Sequence, residues 1–128
     1  MAIILVIDDS QVQRAWARMM LEEVGHEVLD ADCGEGGVEV ARSSAPDCVL
    51  LDLLLPDVSG CDVLRRFRES GVNSPVIVLS ADDPGQRKTE CLELGAARVM
   101  QKPRDGEDLV AAVAGVLAGS RASDDRER

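Results

Sequence analysis

A chain of 128 residues is one domain long, and a formal net charge of −10 excludes direct binding to a nucleic-acid phosphate backbone. Apolar residues at 45 % can fill a globular core, but with Trp16, Phe67 and no tyrosine that core must be packed from aliphatic side chains. The apolar runs are too short to span a bilayer and no leader precedes the first of them, so a cytoplasmic protein with no membrane partner is expected. Cys33, Cys48, Cys61 and Cys91 lack C-x-x-C spacing and have only His26 for company, so reduced, mostly buried thiols are expected rather than a zinc site or redox pair.

Ile3 to Ile7 is wholly apolar and ends in Asp8-Asp9-Ser10. This reads as a strand buried on both faces, followed by a helix cap. The helix carries Val12, Trp16, Met20 and Val24 as an inward row and stops at Gly25. His26 to Asp32 reads as a second, shorter strand. Gly34 to Ser44 is a second helix, where Gly36 and Gly37 each cost about 0.5–1 kcal/mol relative to alanine, so it is expected to be the weakest. Ala45-Pro46-Asp47 turns into a third strand, the aliphatic run around Val49-Leu50-Leu51-Asp52, which Pro56 stops.

Gly60 opens a third helix with Val63, Leu64 and Phe67 inward and Arg65, Arg66 and Arg68 outward, ending near Gly71. Pro75 to Ala81 is the fourth strand. Asp83-Pro84 suits a cap followed by proline at the first helical position, and that fourth helix would run to Leu94. Ala97 to Gln101 is the fifth strand, followed by Lys102-Pro103. Asp105 caps a last helix to about Leu117, and residues 119–128 form a polar tail expected to be disordered. Strand and helix alternating in this way predict an α/β fold: one domain over 1–118, a parallel sheet with right-handed crossovers, helices on both faces.

In such a sheet the carboxyl ends of the strands share one edge, where ligands bind. That edge receives Asp8 and Asp9 from the first strand, Asp52 from the third, Ser80 from the fourth and Lys102 from the fifth. Three carboxylates held together need a counter-charge, and an all-oxygen, partly hydrated site suits Mg²⁺. Lys102 stands out in a chain with only two lysines, and its compact ammonium can pair with a carboxylate or a phosphoryl oxygen.

With Asp8-Asp9, the Asp52…Pro56…Gly60 spacing, Ser80-Ala81 and Lys102-Pro103, the chain resembles the receiver domain of bacterial response regulators over about residues 1–118. The resemblance implies a flavodoxin-like doubly wound sheet in strand order 2-1-3-4-5. It implies that Asp52 accepts a phosphoryl group from a histidine kinase or phosphotransfer protein. It further implies Mg²⁺ on Asp9, Asp52 and the Leu54 carbonyl, with Asp8 acting through water. Lys102, the Ser80 hydroxyl and the Ala81 N–H would neutralise the phosphoryl oxygens, and a cis Lys102-Pro103 bond would aim the lysine. Such a protein is a signalling phosphoacceptor rather than an enzyme, catalysing only its own phosphotransfer and autodephosphorylation.

The sequence departs from the family at Val99, where Tyr or Phe is usual, and at Leu55, where Met is common. The first removes the aromatic half of the usual switch; the second is nearly isosteric. The signal is expected to leave through the face built by the fourth helix, fifth strand and fifth helix. The outer residues Val110, Ala111, Ala114 and Ala118 there offer a contact for a partner or a second copy in a homodimer. A stand-alone receiver without an output domain is the expected organisation. An aspartyl-phosphate hydrolase would want an acid at Leu54, a flavodoxin a hydroxyl- and glycine-rich loop at Asp8 to Gln11, and a binding-only receiver would have lost an acid or the lysine.

Overall fold

The computed structural model describes residues 1–126, with side chains to residue 119. Its elements alternate as β1 (Ile3–Ile7), α1 (Gln11–Glu23), β2 (Glu27–Ala31), α2 (Gly34–Ser44), β3 (Cys48–Asp52), α3 (Gly60–Glu69), β4 (Val76–Ser80), α4 (Gln86–Glu93), β5 (Arg98–Gln101) and α5 (Gly106–Arg126). The strands form one parallel sheet in the order β2-β1-β3-β4-β5. This is the flavodoxin-like arrangement that the resemblance implies.

The aliphatic strands do what their composition demands. Leu5, Ile7, Val49, Leu51, Val76 and Val78 face α2, α3 and α4, while the alternate residues Ile4, Val6, Cys48, Leu50 and Ile77 face α1 and α5. The period of two thus fills both layers from the same strands, with each fully buried Leu or Ile contributing about 1.5–3 kcal/mol. Phe67 is buried among aliphatics in the first layer.

The glycines of α2 are packing positions. A Cβ on Gly37 would strike the side chain of Ile7, and one on Gly34 would strike Val58 in the loop after β3. Helix propensity has been given up for close approach to the sheet and to that loop. Two capping side chains support the start of the helix: Cys33 Sγ accepts from Gly36 N at 3.4 Å, and Asp57 reaches across from the β3–α3 loop.

Three expectations need correction. On α1, Val12 and Val24 are exposed, the buried residues are Ala17 and Leu21, and Trp16 and Met20 are only partly covered. Asp83 does not cap α4. Its carboxylate accepts from Gly85 N at 3.0 Å in a local turn, and Gly85, at φ +57°, delays the helix to Gln86. α5 runs to Arg126, into the segment expected to be a polar tail; residues 127–128 lie outside the described residues. Finally, no described peptide bond is cis, Lys102-Pro103 included. The trans chain already delivers Lys102, whose N–H donates to Ser80 O at 2.7 Å as a continuation of the β4–β5 pairing.

Candidate functional site

The carboxyl edge of the sheet collects the expected side chains. Asp52 is the last residue of β3, Ser80 the last of β4, and both are buried. Asp8 follows β1 and is also buried; Asp9 beside it is exposed. Asp8, Asp9 and Asp52 each offer a carboxylate oxygen within 4.8 Å of the others. Ala81 is exposed at the mouth, small enough to leave Asp52 approachable.

The burial of these charges is compensated locally. Lys102 Nζ lies 3.1 Å from Asp8 Oδ2 and 3.4 Å from Asp52 Oδ2. Leu54 N donates to Asp52 Oδ1 at 3.2 Å, and Ser10 N to Asp8 Oδ1 at 2.9 Å. Arg14, which sequence reasoning passed over, donates to the Asp8 carbonyl at 2.7 Å and pairs with Asp30 at 3.4 Å, tying β1's end to β2.

The balance is incomplete for Asp52. Burial pushes its carboxyl above the usual range, and Asp8 adds to this; the Leu54 N–H and Lys102 pull the other way without cancelling it. For Lys102, burial alone would lower the ammonium, but its hydrogen bond to Asp8 and the charges of Asp52 and Asp8 outweigh that and hold it above normal.

Trp16 packs against the core as a partly buried residue. It shares a small cavity of about 20 Å³ with Asp8, Gln13, Lys102 and Pro103. Two larger hollows of about 590 Å³ each lie elsewhere, one at the opposite edge around Pro46 and Ser74 and one between β5 and α5 that Lys102 and Pro103 border.

Asp57 is the second side chain to which the sequence reading gave no role. Its two oxygens accept from Gly34 N at 2.9 Å and Glu35 N at 3.0 Å. Those hydrogen bonds, Gly34's first, hold its carboxyl below the usual range. The signal available was its place two residues before the N-cap Ser59, but its partner helix is more than twenty residues away in sequence.

Acids and a lysine gathered at this edge of a sheet in this strand order are the working parts of a signalling receiver, and the chain belongs to the response regulator receiver domain family, matching it over residues 4–114. It is similar to PilH of Pseudomonas aeruginosa, at 37 % identity over 121 residues, covering 93 % of this chain and all of PilH. The cell cycle transcriptional regulator CtrA of Caulobacter vibrioides is 35 % identical over 118 residues, 92 % of this chain but 51 % of CtrA, so the chain spans about half of that relative. The solved receiver domain of the Francisella response regulator 1452 has a TM-score of 0.85 at 26 % identity, covering 94 % of this chain and 99 % of the other.

Receivers of two-component systems bind Mg²⁺ at an acidic cluster, and the donors here suit that ion. They are all oxygen, within reach of one another, and Asp9 is open to water. No helix among the described residues is long and apolar enough to cross a membrane.

Proposed function

We propose that this chain accepts a phosphoryl group on Asp52 from a histidine kinase or histidine phosphotransfer protein and passes the signal on by a change at the α4–β5–α5 face. The observation that carries this reading is the buried Asp52 carboxylate, paired with Lys102 at 3.4 Å and grouped with Asp8 and Asp9.

Leu54 N–H fixes one oxygen of Asp52 and Lys102 the other, so the nucleophile is oriented before a donor arrives. An Asp52 oxygen attacks phosphorus as the P–N bond to the donor imidazole breaks, leaving an acyl phosphate and a free histidine. Partial desolvation favours the attack, because a carboxylate with a raised pKa is a better nucleophile. Lys102 faces the charge that builds on the phosphoryl oxygens, and the Ser80 hydroxyl and Ala81 N–H supply further donors from the end of β4. Mg²⁺, held by Asp9, Asp52 and the Leu54 carbonyl with Asp8 acting through water, supplies further charge neutralisation when bound.

For output, Val99 is buried beneath the sheet edge without a ring that can turn, so the segment after Ser80 carries the change. The exposed small residues Ala111, Ala114 and Ala118 of α5 give a second copy a flat surface to meet. The test is incubation with acetyl phosphate and Mg²⁺. One phosphoryl group should be added, released by hydroxylamine and absent from Asp52→Asn. A hydroxylamine-stable phosphate on Ser10 or Ser80 would overturn the assignment.

A further inference from the structure

Cys61 and Cys91 are thirty residues apart in sequence, which is why no spacing motif marks them. The fold brings their sulfurs to 3.3 Å. Cys61 is the second residue of α3 and Cys91 lies in the last turn of α4; both are buried. Phosphoryl chemistry uses neither.

Their setting gives the contact weight. Cys91 is the only buried residue of the eight in α4, and the helix starts on Gly85 with no side-chain cap. Beyond this sulfur contact, α4 is held to α3 by Arg65 on Glu90 at 3.0 Å and Arg68 on the Glu93 carbonyl at 3.4 Å, both exposed. Exposed contacts of this kind stabilise little, because water screens and competes for them. The thiol pair is therefore the buried anchor of a lightly held helix, and that helix follows directly on the segment after Ser80.

We propose that Cys61 and Cys91 form an oxidative modification site, closed to an intramolecular disulfide by a hydroperoxide, which fixes α4 on α3. To bond, the sulfurs approach by about 1.2 Å, from 3.3 Å to roughly 2.05 Å. One thiol gives up its proton, and its sulfur attacks a peroxide oxygen. The O–O bond breaks, hydroxide leaves and takes a proton to become water, and a sulfenic acid remains. The second sulfur, losing its proton, attacks the sulfenic sulfur and a second water leaves. Two thiols are oxidised by two electrons and one hydrogen peroxide is reduced to two waters. While the helix is packed the reaction is slow, since burial pushes the Cys91 thiol up to about 12 and shields it. Local opening of α4 gates it. Any effect on output rests on the phosphoacceptor reading, but the bond itself does not.

The test treats the intact protein with hydrogen peroxide in the absence of any phosphodonor. Free thiols are then blocked, and intact mass and non-reduced tryptic peptides are measured. The expected product has lost two hydrogens and joins peptide 43–65 to peptide 89–98, with fragment ions placing the link at Cys61 rather than Cys48. Amide exchange over residues 86–94 should slow by about tenfold or more in that product and recover on reduction. Cys61→Ala and Cys91→Ala should each abolish the link; if either fails to fold, the wild-type peptide map decides alone. A link through Cys33 or Cys48, or both thiols still reduced at doses that oxidise the partly exposed Cys33, would overturn the proposal. A Cys61–Cys91 link with unchanged exchange over 86–94 would overturn the fixing of α4.

Discussion

Lys102 reaches Asp8 more closely than it reaches Asp52, with Nζ at 3.1 Å from the first carboxylate and 3.4 Å from the second. The lysine is thus the internal counter-ion of the acidic group as much as a partner of Asp52. A cation this close to the carboxylates competes electrostatically with a divalent ion. Lys102→Met should lose about 2 kcal/mol of stability in metal-free buffer, read by urea unfolding. The same variant should bind Mg²⁺ more tightly than wild type, by about tenfold, while labelling by acetyl phosphate falls. Weaker Mg²⁺ binding in the variant would show that the lysine does not compete with the ion.

Asp8 and Asp9 are neighbours with different duties. Asp8 is buried and engaged by Ser10 N and Lys102; Asp9 is exposed and makes no hydrogen bond through its side chain among the described residues. Asp8→Ala should destabilise the fold by about 1–3 kcal/mol, because it leaves the partly buried Lys102 short of a partner. Asp9→Ala should leave the unfolding midpoint within about 0.5 kcal/mol of wild type yet abolish Mg²⁺-dependent labelling. Full labelling of the Asp9 variant would remove it from the metal site.

Most of this site could be read from the sequence because each residue sits at the end of an aliphatic strand, and a parallel sheet aligns those ends. What could not be read depended on contacts between distant segments or on helix phase. Residues four apart drift by about 40° on a helix, so the row Val12, Trp16, Met20, Val24 turns out of the core at both ends. Ala17 and Leu21 sit at its centre instead. Cys61 with Cys91, and Asp57 with Gly34, are pairs that only the fold creates. On α5 the outward reading holds for Ala111, Ala114 and Ala118, which are exposed, but Val110 packs partly against the core beside the buried Leu109 and Val113.

The glycines divide into those whose neighbours can yield and those whose neighbours cannot. A Cβ at Gly60 would lie 3.0 Å from both the Asp52 carbonyl and Leu53 Cα, which are backbone atoms at the end of β3 and its exit. A Cβ at Gly37 meets the side chain of Ile7 instead. Both alanine variants should lose stability, by about 1–3 kcal/mol. Only Gly60→Ala should also depress phosphoryl labelling, since only there must the backbone next to Asp52 move. Normal labelling in a folded Gly60→Ala protein would contradict this.

Asp57 gives the fold a pH dependence with a defined sign. The unfolded carboxyl titrates near its ordinary value, about 3.9, whereas the N–H groups of Gly34 and Glu35 hold the folded value lower. Its contribution is therefore complete above the unfolded value and lost as pH falls through the folded one. Asp57→Ala should cost about 1 kcal/mol at pH 7, as the loss of a helix cap does. The gap from wild type should narrow toward about pH 3. Urea unfolding at the two pH values checks this, and a gap that widens in acid would refute it.

The route of the signal follows from Val99. This residue is buried in the layer that holds Cys91 and Ala96, so the usual inward turn of a ring has no counterpart here. The segment after Ser80 is differently built. Ala81 to Asp83 are exposed, Gly85 has positive φ, and α4 begins without a side-chain cap and buries only Cys91. A segment with so few buried contacts costs little to displace. β5, by contrast, is paired to β4 from Arg98 to Gln101 and anchored by Val99. A phosphoryl group on Asp52 that draws in the Ser80 hydroxyl should therefore shift the backbone amide resonances of residues 81–90 more than those of 97–101. Comparing NMR amide shifts of free and acyl-phosphate-mimicking protein measures this directly. Equal or reversed perturbation would mean that β5 carries the switch despite Val99.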